Sequence, residues 1–399
     1  MLQARDAAQA TSDLSLQLRV DCQLALQYVD KGAFDQSRDM FDAAIIRLRN
    51  VPDMDPGIVA ACLNGRSELR YAIGDFPGAL ADDQSALETL GTPRPSQRAQ
   101  AAALRGTLAM IQGRIAPSTV AEREFRSAIA DLETMGRGNT ETARGLYNNL
   151  AILLSSAGQT LSSTQAYEKA LAAGPTLGTN STLDANYAGK LIELGRALDA
   201  IPLVERALAS LAERGNKGEG LARVALLGAL AWCDTGDLRM CNGLLTTAEQ
   251  ELTQTTKPGR SIFGTLEMRQ GQAAWASGDR AAAAAKFRHA IAIFDSAQDK
   301  SRNGIRARTL LARVELELGH RDIARSEASR SVAQAREALA GFTHSQWLGG
   351  ALVALGLVQQ ASGESTAAQV TWRAALNELE ATMGISAPAT EEVRRLLKA

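Results

Sequence analysis

Aromatic residues make up only 4% of the 399 residues, proline occurs ten times and cysteine four. So few rings exclude a core built on aromatic packing and leave close helix contacts through Ala and Leu as the means of burying surface. Net charge is also missing. The 43 Lys plus Arg nearly balance 44 Asp plus Glu, which excludes the global basic field that draws proteins to nucleic acid. The longest apolar run, Val224 to Trp232, falls far short of the roughly 20 residues that cross a bilayer. The opening MLQARDAAQA has no signal-peptide apolar stretch. A cytoplasmic chain without membrane insertion is therefore expected.

Cys22, Cys62, Cys233 and Cys241 form no CxxC pair and have no metal-ligand spacing with His289, His320 or His344. They read first as buried small side chains. Cys233 and Cys241 flank one turn at Gly236 and can bond in an oxidising compartment. Catalytic signatures are absent as well: no phosphate loop with a following Lys, no HExxH and no nucleophile elbow. The adjacent acids Asp82 and Asp83, and Glu391 and Glu392, read as solvated faces rather than acid-base pairs. No enzyme activity, cofactor or metal is expected.

What the chain has is a period. In the stretch Gly264 to Ala290, Gly278 marks a turn, Gly271 stands seven residues before it, and Ala283 and Ala290 follow at five and twelve. Small residues at those offsets let two antiparallel helices approach closely. Taking Gly32, Gly74, Gly113, Gly158, Gly195, Gly236, Gly278, Gly319 and Gly363 as turns, the residue seven before is small all nine times. The third unit needs three residues inserted after Gly113, visible as IAPST, to bring Ala128 into register. Turns recur every 37 to 45 residues, with a mean near 41. The length exceeds what one compact core normally serves, so a helical repeat array is expected.

The array is read as one continuous all-α solenoid over 1–399, with repeats contacting only their neighbours. Residues 1–10 read as the remnant of a preceding helix whose partner is missing, 11–379 as nine helical hairpins, and 389–399 as a capping helix through Val393, Leu396 and Leu397. Punctuation such as VPDMDPG, GTPRPS, AGPTLGTN and TKPG separates the hairpins. Pro202 falls inside a second helix, where a kink or a first-turn position is expected. Trp232 and Trp275 read as wedges between hairpins.

GDFPGALADDQSAL at 74–87 and GQTLSSTQAYEKAL at 158–171 resemble the second-helix pattern of tetratricopeptide repeats. LYNNLAILLSSAGQ at 146–159, AIPLVERAL at 200–208 and GISAPATEEVRRLL at 384–397 are similar to the longer repeats of kinesin light chains and their bacterial relatives. The resemblance covers about Thr11 to Leu379. It implies a right-handed superhelix whose first helices line a concave groove for peptides or partner proteins.

In that repeat the exposed first-helix positions lie about thirteen, ten, nine, six and three residues before the turn. These columns carry Asn64, Asn148, Asn149 and Asn186, and further on Arg223, Arg269, Arg306 and Arg313. Amides can donate to and accept from a peptide main chain, and the resemblance implies that role. Guanidinium groups recognise carboxylates in two-pronged fashion. The competing readings are that the amides bridge neighbouring helices and that each Arg pairs with a Glu such as Glu267 or Glu315. The expected function is a non-catalytic scaffold binding an extended peptide segment, with acidic side chains selected by the arginines. The rival is the C-terminal sensor region of a larger bacterial signalling protein, a kinase or transcription regulator.

Overall fold

The structure, a computed structural model, describes residues 2–30, 32–51, 53–115, 118–173, 181–255, 260–297, 302–339 and 341–398. Twenty α-helices and no strand occur among these residues. A lead helix, α1 (Leu2–Gln9), precedes nine antiparallel pairs. The first four pairs are α2 (Leu14–Asp30) with α3 (Phe34–Arg49), α4 (Pro56–Ala72) with α5 (Phe76–Leu90), α6 (Arg98–Ile115) with α7 (Thr119–Thr134), and α8 (Glu141–Ser156) with α9 (Thr160–Ala172). The next three are α10 (Ser181–Glu193) with α11 (Ala197–Glu213), α12 (Glu219–Asp234) with α13 (Leu238–Thr253), and α14 (Arg260–Ala276) with α15 (Arg280–Ser296). Then α16 (Arg302–Glu317) pairs with α17 (Arg321–Glu337), α18 (Gln346–Ala361) with α19 (Ser365–Met383), and α20 (Pro388–Leu396) caps the last pair. The stretches 174–180, 256–259 and 298–301, on which part of the sequence punctuation falls, lie outside the described residues.

The turns follow from backbone chemistry. At Gly278 the backbone is left-handed (φ +88°), the Gly278 N–H returns to the Trp275 carbonyl and the Asp279 N–H to that of Ala274. Orphan carbonyls at the end of α14 are thereby satisfied. The Asp279 carboxylate then accepts from the Ala282 N–H and starts α15. Gly113 is a correction. It lies inside α6, which runs on to Ile115, and the next helix, α7, starts at Thr119, so residue 113 is not the turn. The small side chain at 113 does not by itself end a helix.

The crossing positions are where the sequence placed them. Ala25, Ala151, Ala188, Ala229 and Ala312 are fully buried, as are Ala86, Ala128, Ala170, Ala207, Ala248 and Ala290 on the facing helices. A Cβ on Gly271 would stand 2.7 Å from Phe287 Cε1, and one on Gly356 would stand 2.3 Å from Trp372 Nε1. In three pairs a serine ties the crossing: Ser37 Oγ donates to the Ala25 carbonyl at 2.8 Å, Ser67 to Ala79 at 3.0 Å and Ser163 to Ala151 at 2.7 Å. Pro202 lies in the second turn of α11, which continues unbroken, and the bond it forgoes falls at the exposed Leu198.

The four cysteines are bonded, which corrects the reading of them as free buried side chains: Cys22 to Cys62 links α2 to α4, and Cys233 to Cys241 links α12 to α13.

The chain divides into two compact units, residues 1–150 and 151–399. The second does more than stack neighbours. Its first and last pairs meet: the Gln346 N–H donates to the Gly158 carbonyl at 3.0 Å, Gln159 Nε2 donates to the His344 carbonyl, and Gln346 Nε2 donates to Glu193 at 2.9 Å. Pro388 of α20 covers Gly195 so closely that a Cβ there would stand 2.4 Å from its ring. The expectation that repeats touch only their neighbours is therefore corrected for this unit, which closes on itself. At the crossings, Ala290→Leu should overpack a filled contact and destabilise by about 1–3 kcal/mol. Thermal melting checks this, and a melt matching the parent would show that the crossing is looser than described.

Candidate functional site

The inner helices of residues 151–399 line a cavity of about 340 Å³ that is open to solvent. Its walls come from α8, α9, α10, α12, α14, α16 and α18. Ile152, Val224, Leu227, Leu230 and Ile262 supply apolar surface, and Tyr167 and Trp347 the rings. The charged residues of the lining are uneven: Lys190, Arg223, Arg269, Arg302 and Arg306 face one carboxylate, Glu193. A small cavity that joins apolar walls to convergent polar groups has the build of a ligand site.

Each charge has a definite account. Glu193 accepts from Lys190 Nζ, from Gln346 and from Thr160 Oγ1 at 3.3 Å. Burial opposes its ionisation, but the charges of Lys190, Arg306 and Arg302 outweigh that and hold its pKa below the usual range. Burial pulls Lys190 down to about 8 despite Glu193. Arg223 is held by Glu219 one helical turn away and is more than half exposed. Arg302 donates to Ser156 Oγ at 3.2 Å.

Arg269 and Arg306 differ from these. Neither has a carboxylate within ion-pairing distance among the described residues, although the charges of Asp234 and Glu193 act on both from further off. Arg269 Nη1 donates to Gln272 Oε1 at 2.7 Å, while its Nε is buried without a partner. Burial, with the Arg306 charge adding to it, lowers the Arg269 pKa to about 9. Trp347 Nε1 is a second buried donor without a partner. Glu267 and Glu315, the acids weighed as partners for the arginines, are taken by Lys286 with His289 and by Arg288 with His320.

The structure brings four of the eight sequence-derived residues to this cavity: Asn186, Arg223, Arg269 and Arg306. Arg313 does not line it; its Nη2 donates to Glu392 of the cap at 2.7 Å, and its guanidinium lies 5.8 Å over the Trp275 ring. In residues 1–150, Asn64 donates to Asp83 at 3.0 Å and borders a smaller groove with Arg19, Gln23 and Gln100. Asn148 donates to Asn149 at 3.3 Å, and Asn149 Nδ2 points to Met110 Sδ at 3.6 Å. Asp82 and Asp83 are buried, which corrects their reading as a solvated face. Asp82 pairs with Arg66 at 2.7 Å and Arg70 at 3.0 Å, and burial raises Asp83 to about 6 against the hydrogen bonds of Asn64 and Ser67.

Sequence reasoning missed Lys190, Glu193, Arg302 and Trp347. Arg302 and Trp347 lie seventeen and sixteen residues before their turns, one helical turn beyond the columns used. Lys190 and Glu193 lie five and two before theirs, outside those columns, and nothing local marks them.

No protein-family model and no curated protein sequence matches the chain. Among solved structures it is similar to a Rap protein complexed with Competence and Sporulation Factor, at 12% identity over 85% of this chain and 96% of that one (TM-score 0.58). It is similar to NprR in complex with its cognate peptide NprX, at 13% identity over 96% and 97% (TM-score 0.54). A monomeric IFIT1 mutant with Gppp-AAAA is similar at 16% identity over 96% and 81% (TM-score 0.51). Likeness at such identities shows the fold, and the chain has the tetratricopeptide-type repeat fold. Among the described residues no helix is long and apolar enough to cross a membrane.

A buried cation whose pKa is lowered costs the folded state stability. The native penalty at Arg269 is complete below about 9, where both states hold the proton, and fades above that, towards the higher pKa of the unfolded chain, as the native state releases it. Arg269→Met should therefore raise stability at pH 7 by about 0.5–2 kcal/mol. The gain should shrink above pH 9. Urea unfolding at pH 7 and pH 10 checks both signs.

Proposed function

We propose that the chain is a non-catalytic binding scaffold whose interior cavity, in residues 151–399, receives an extended peptide segment and selects acidic groups. The observation that carries this is the uneven charge of the cavity lining, five cations on four inner helices against Glu193 alone. Lys190 is paired with Glu193 and Arg223 with Glu219, but Arg269, Arg302 and Arg306 have no carboxylate in ion-pairing distance among the described residues, and cations left so are costly to a fold and are found where a ligand supplies the counter-charge. Asn186 adds an amide suited to a peptide main chain. The likeness to NprR with its cognate peptide supports a peptide as the class of ligand. Helices packed this way leave their inner faces free for such a segment.

The test uses the full chain and a panel of N-acetylated heptapeptides in which Asp and Glu alternate with Asn and Gln at each position. Acidic peptides should bind better than their amide counterparts, and Arg306→Glu should weaken them by about 1–3 kcal/mol. Added salt should weaken the parent's binding, since exposed charges such as Arg223 are screened. Titration calorimetry that leaves the tightest peptide unchanged in both Asn186→Ala and Arg306→Glu places the ligand outside this cavity.

The two disulfides support an oxidising compartment in place of the cytoplasm expected from composition, because thiols stay reduced in the cytosol. Thiol titration of the unfolded chain taken from its native source, without reductant, should find no free cysteine. Four free thiols would restore the cytoplasmic expectation.

A further inference from the structure

Of the lysines among the described residues, Lys190 alone is buried. It stands on α10 with 6% of its side chain exposed, yet it lines the cavity. Its Nζ makes one hydrogen bond among the described residues, to Glu193 Oε2 at 2.5 Å. That carboxylate is itself fixed, by Gln346 Nε2 at 2.9 Å and Thr160 Oγ1 at 3.3 Å. The other charged or titratable groups of the lining are Tyr167 of α9, Arg223 of α12, Arg269 of α14, and Arg302 and Arg306 of α16. An apolar wall lies beside the same stretch of α10: a Cβ on Gly189 would stand 3.5 Å from Leu227 Cδ1.

An amine in such a place is a nucleophile. Burial, with the charges of Arg302 and Arg306 adding to it, pulls its pKa to about 8 against the opposing effect of Glu193. Roughly a tenth of it is then neutral at pH 7, on the order of a hundredfold more than for an exposed lysine. Desolvated lysines beside other cations condense with carbonyl groups. After the ammonium gives a proton to solvent, the Nζ lone pair forms the C–N bond and the C=O π pair moves to oxygen. A carboxylate within hydrogen-bond reach, here Glu193, relays one N–H proton to that oxygen. A second proton, taken back from solvent, lets the hydroxyl leave as water while nitrogen forms the C=N bond. The iminium carries the same single positive charge as the ammonium it replaces, so Glu193 keeps its partner and its bonds to Gln346 and Thr160.

We propose that Lys190 is a covalent docking point at which the cavity captures a small aldehyde or ketone as a reversible imine, with Glu193 relaying the proton and Val224, Leu227 and Leu230 taking the apolar body of the ligand. Capture of this kind needs no turnover. It goes beyond the scaffold reading and does not depend on the peptide. An aliphatic aldehyde and a 2-oxo acid share the carbonyl chemistry, and the experiment separates them.

The full chain at pH 7 is given pentanal or 2-oxopentanoate with sodium cyanoborohydride, which reduces the imine and makes it permanent. Sites of alkylation are followed in time by peptide mass spectrometry. Lys190 should be alkylated at least tenfold faster than the exposed Lys169, Lys217 and Lys398 by one of the two probes, and the faster probe names the source. Its rate should level off as the probe is raised, as it does when an imine accumulates in a site. Lys190→Arg keeps a cation for Glu193 and should lose the fast phase while the exposed lysines react as before. Alkylation of Lys190 no faster than that of the exposed lysines, with both probes, would overturn the site. A fast rate that climbs in proportion to the probe without levelling would overturn the capture and leave a reactive amine alone.

Discussion

Two helices lie in contact along a hairpin only where neither places a large side chain at the crossing, and much of this structure follows from how that condition is met. At each crossing a small residue faces a small residue, or a glycine accepts a ring: Gly271 under Phe287, Gly264 under Phe294, Gly356 under Trp372. Rings are scarce because each needs such an opening. Pairs held by Ala on Ala bury little apolar area apiece, so stability has to accumulate over many neighbours, and the array is long for that reason. The serines that tie crossings at Ala25, Ala79 and Ala151 fit the same geometry, since a hydroxyl reaches the facing carbonyl only when the backbones are close.

Because apolar surface is spent between helices, the inner faces of the first helices are left to polar groups. On an open groove these would be hydrated and nearly neutral in energy. In residues 151–399 the last pair returns to the first, and the cations on α10, α14 and α16 share one partly dried space. The lowered pKa values of Lys190 and Arg269, about 8 and about 9, express that loss of water. Such an arrangement stabilises nothing by itself. Folds keep costly polar groups where binding requires them.

The pairs were legible because a crossing constrains single residues at fixed offsets, and the cap was legible from Val393, which is fully buried. The third turn was not, since a small residue signals a crossing while a turn needs left-handed backbone, and Gly113 supplies only the former. The site was half legible. Asn186, Arg223, Arg269 and Arg306 lie nine or thirteen residues before their turns, on columns that any stacked repeat turns inward. Lys190, Glu193 and Trp347 owe their places to contacts between Gly158 and Gln346, 188 positions apart, and no local pattern encodes such a return. Asp82 and Asp83 were misread for a related reason: their burial depends on Arg66, Arg70 and Asn64 of the facing helix. The bond from Cys22 to Cys62 joins first helices of successive pairs at unequal distances from their turns, ten and twelve residues, so no column brings them together.

Glu193 belongs to two structures at once. It accepts from Gln346 and Thr160, which join the ends of the unit, and it is the carboxylate whose charge acts on Arg302, Arg306 and Lys190 in the cavity. An anion entering beside Arg306 changes the field on Glu193 and with it the strength of the hydrogen bonds that close the unit. The reverse holds with equal size: whatever loosens the Gln346 contact alters how much positive charge the cavity presents, since linkage between two sites is reciprocal. If the cavity takes an acidic group as proposed, its occupancy and the closure of its walls are coupled through the Glu193 carboxylate.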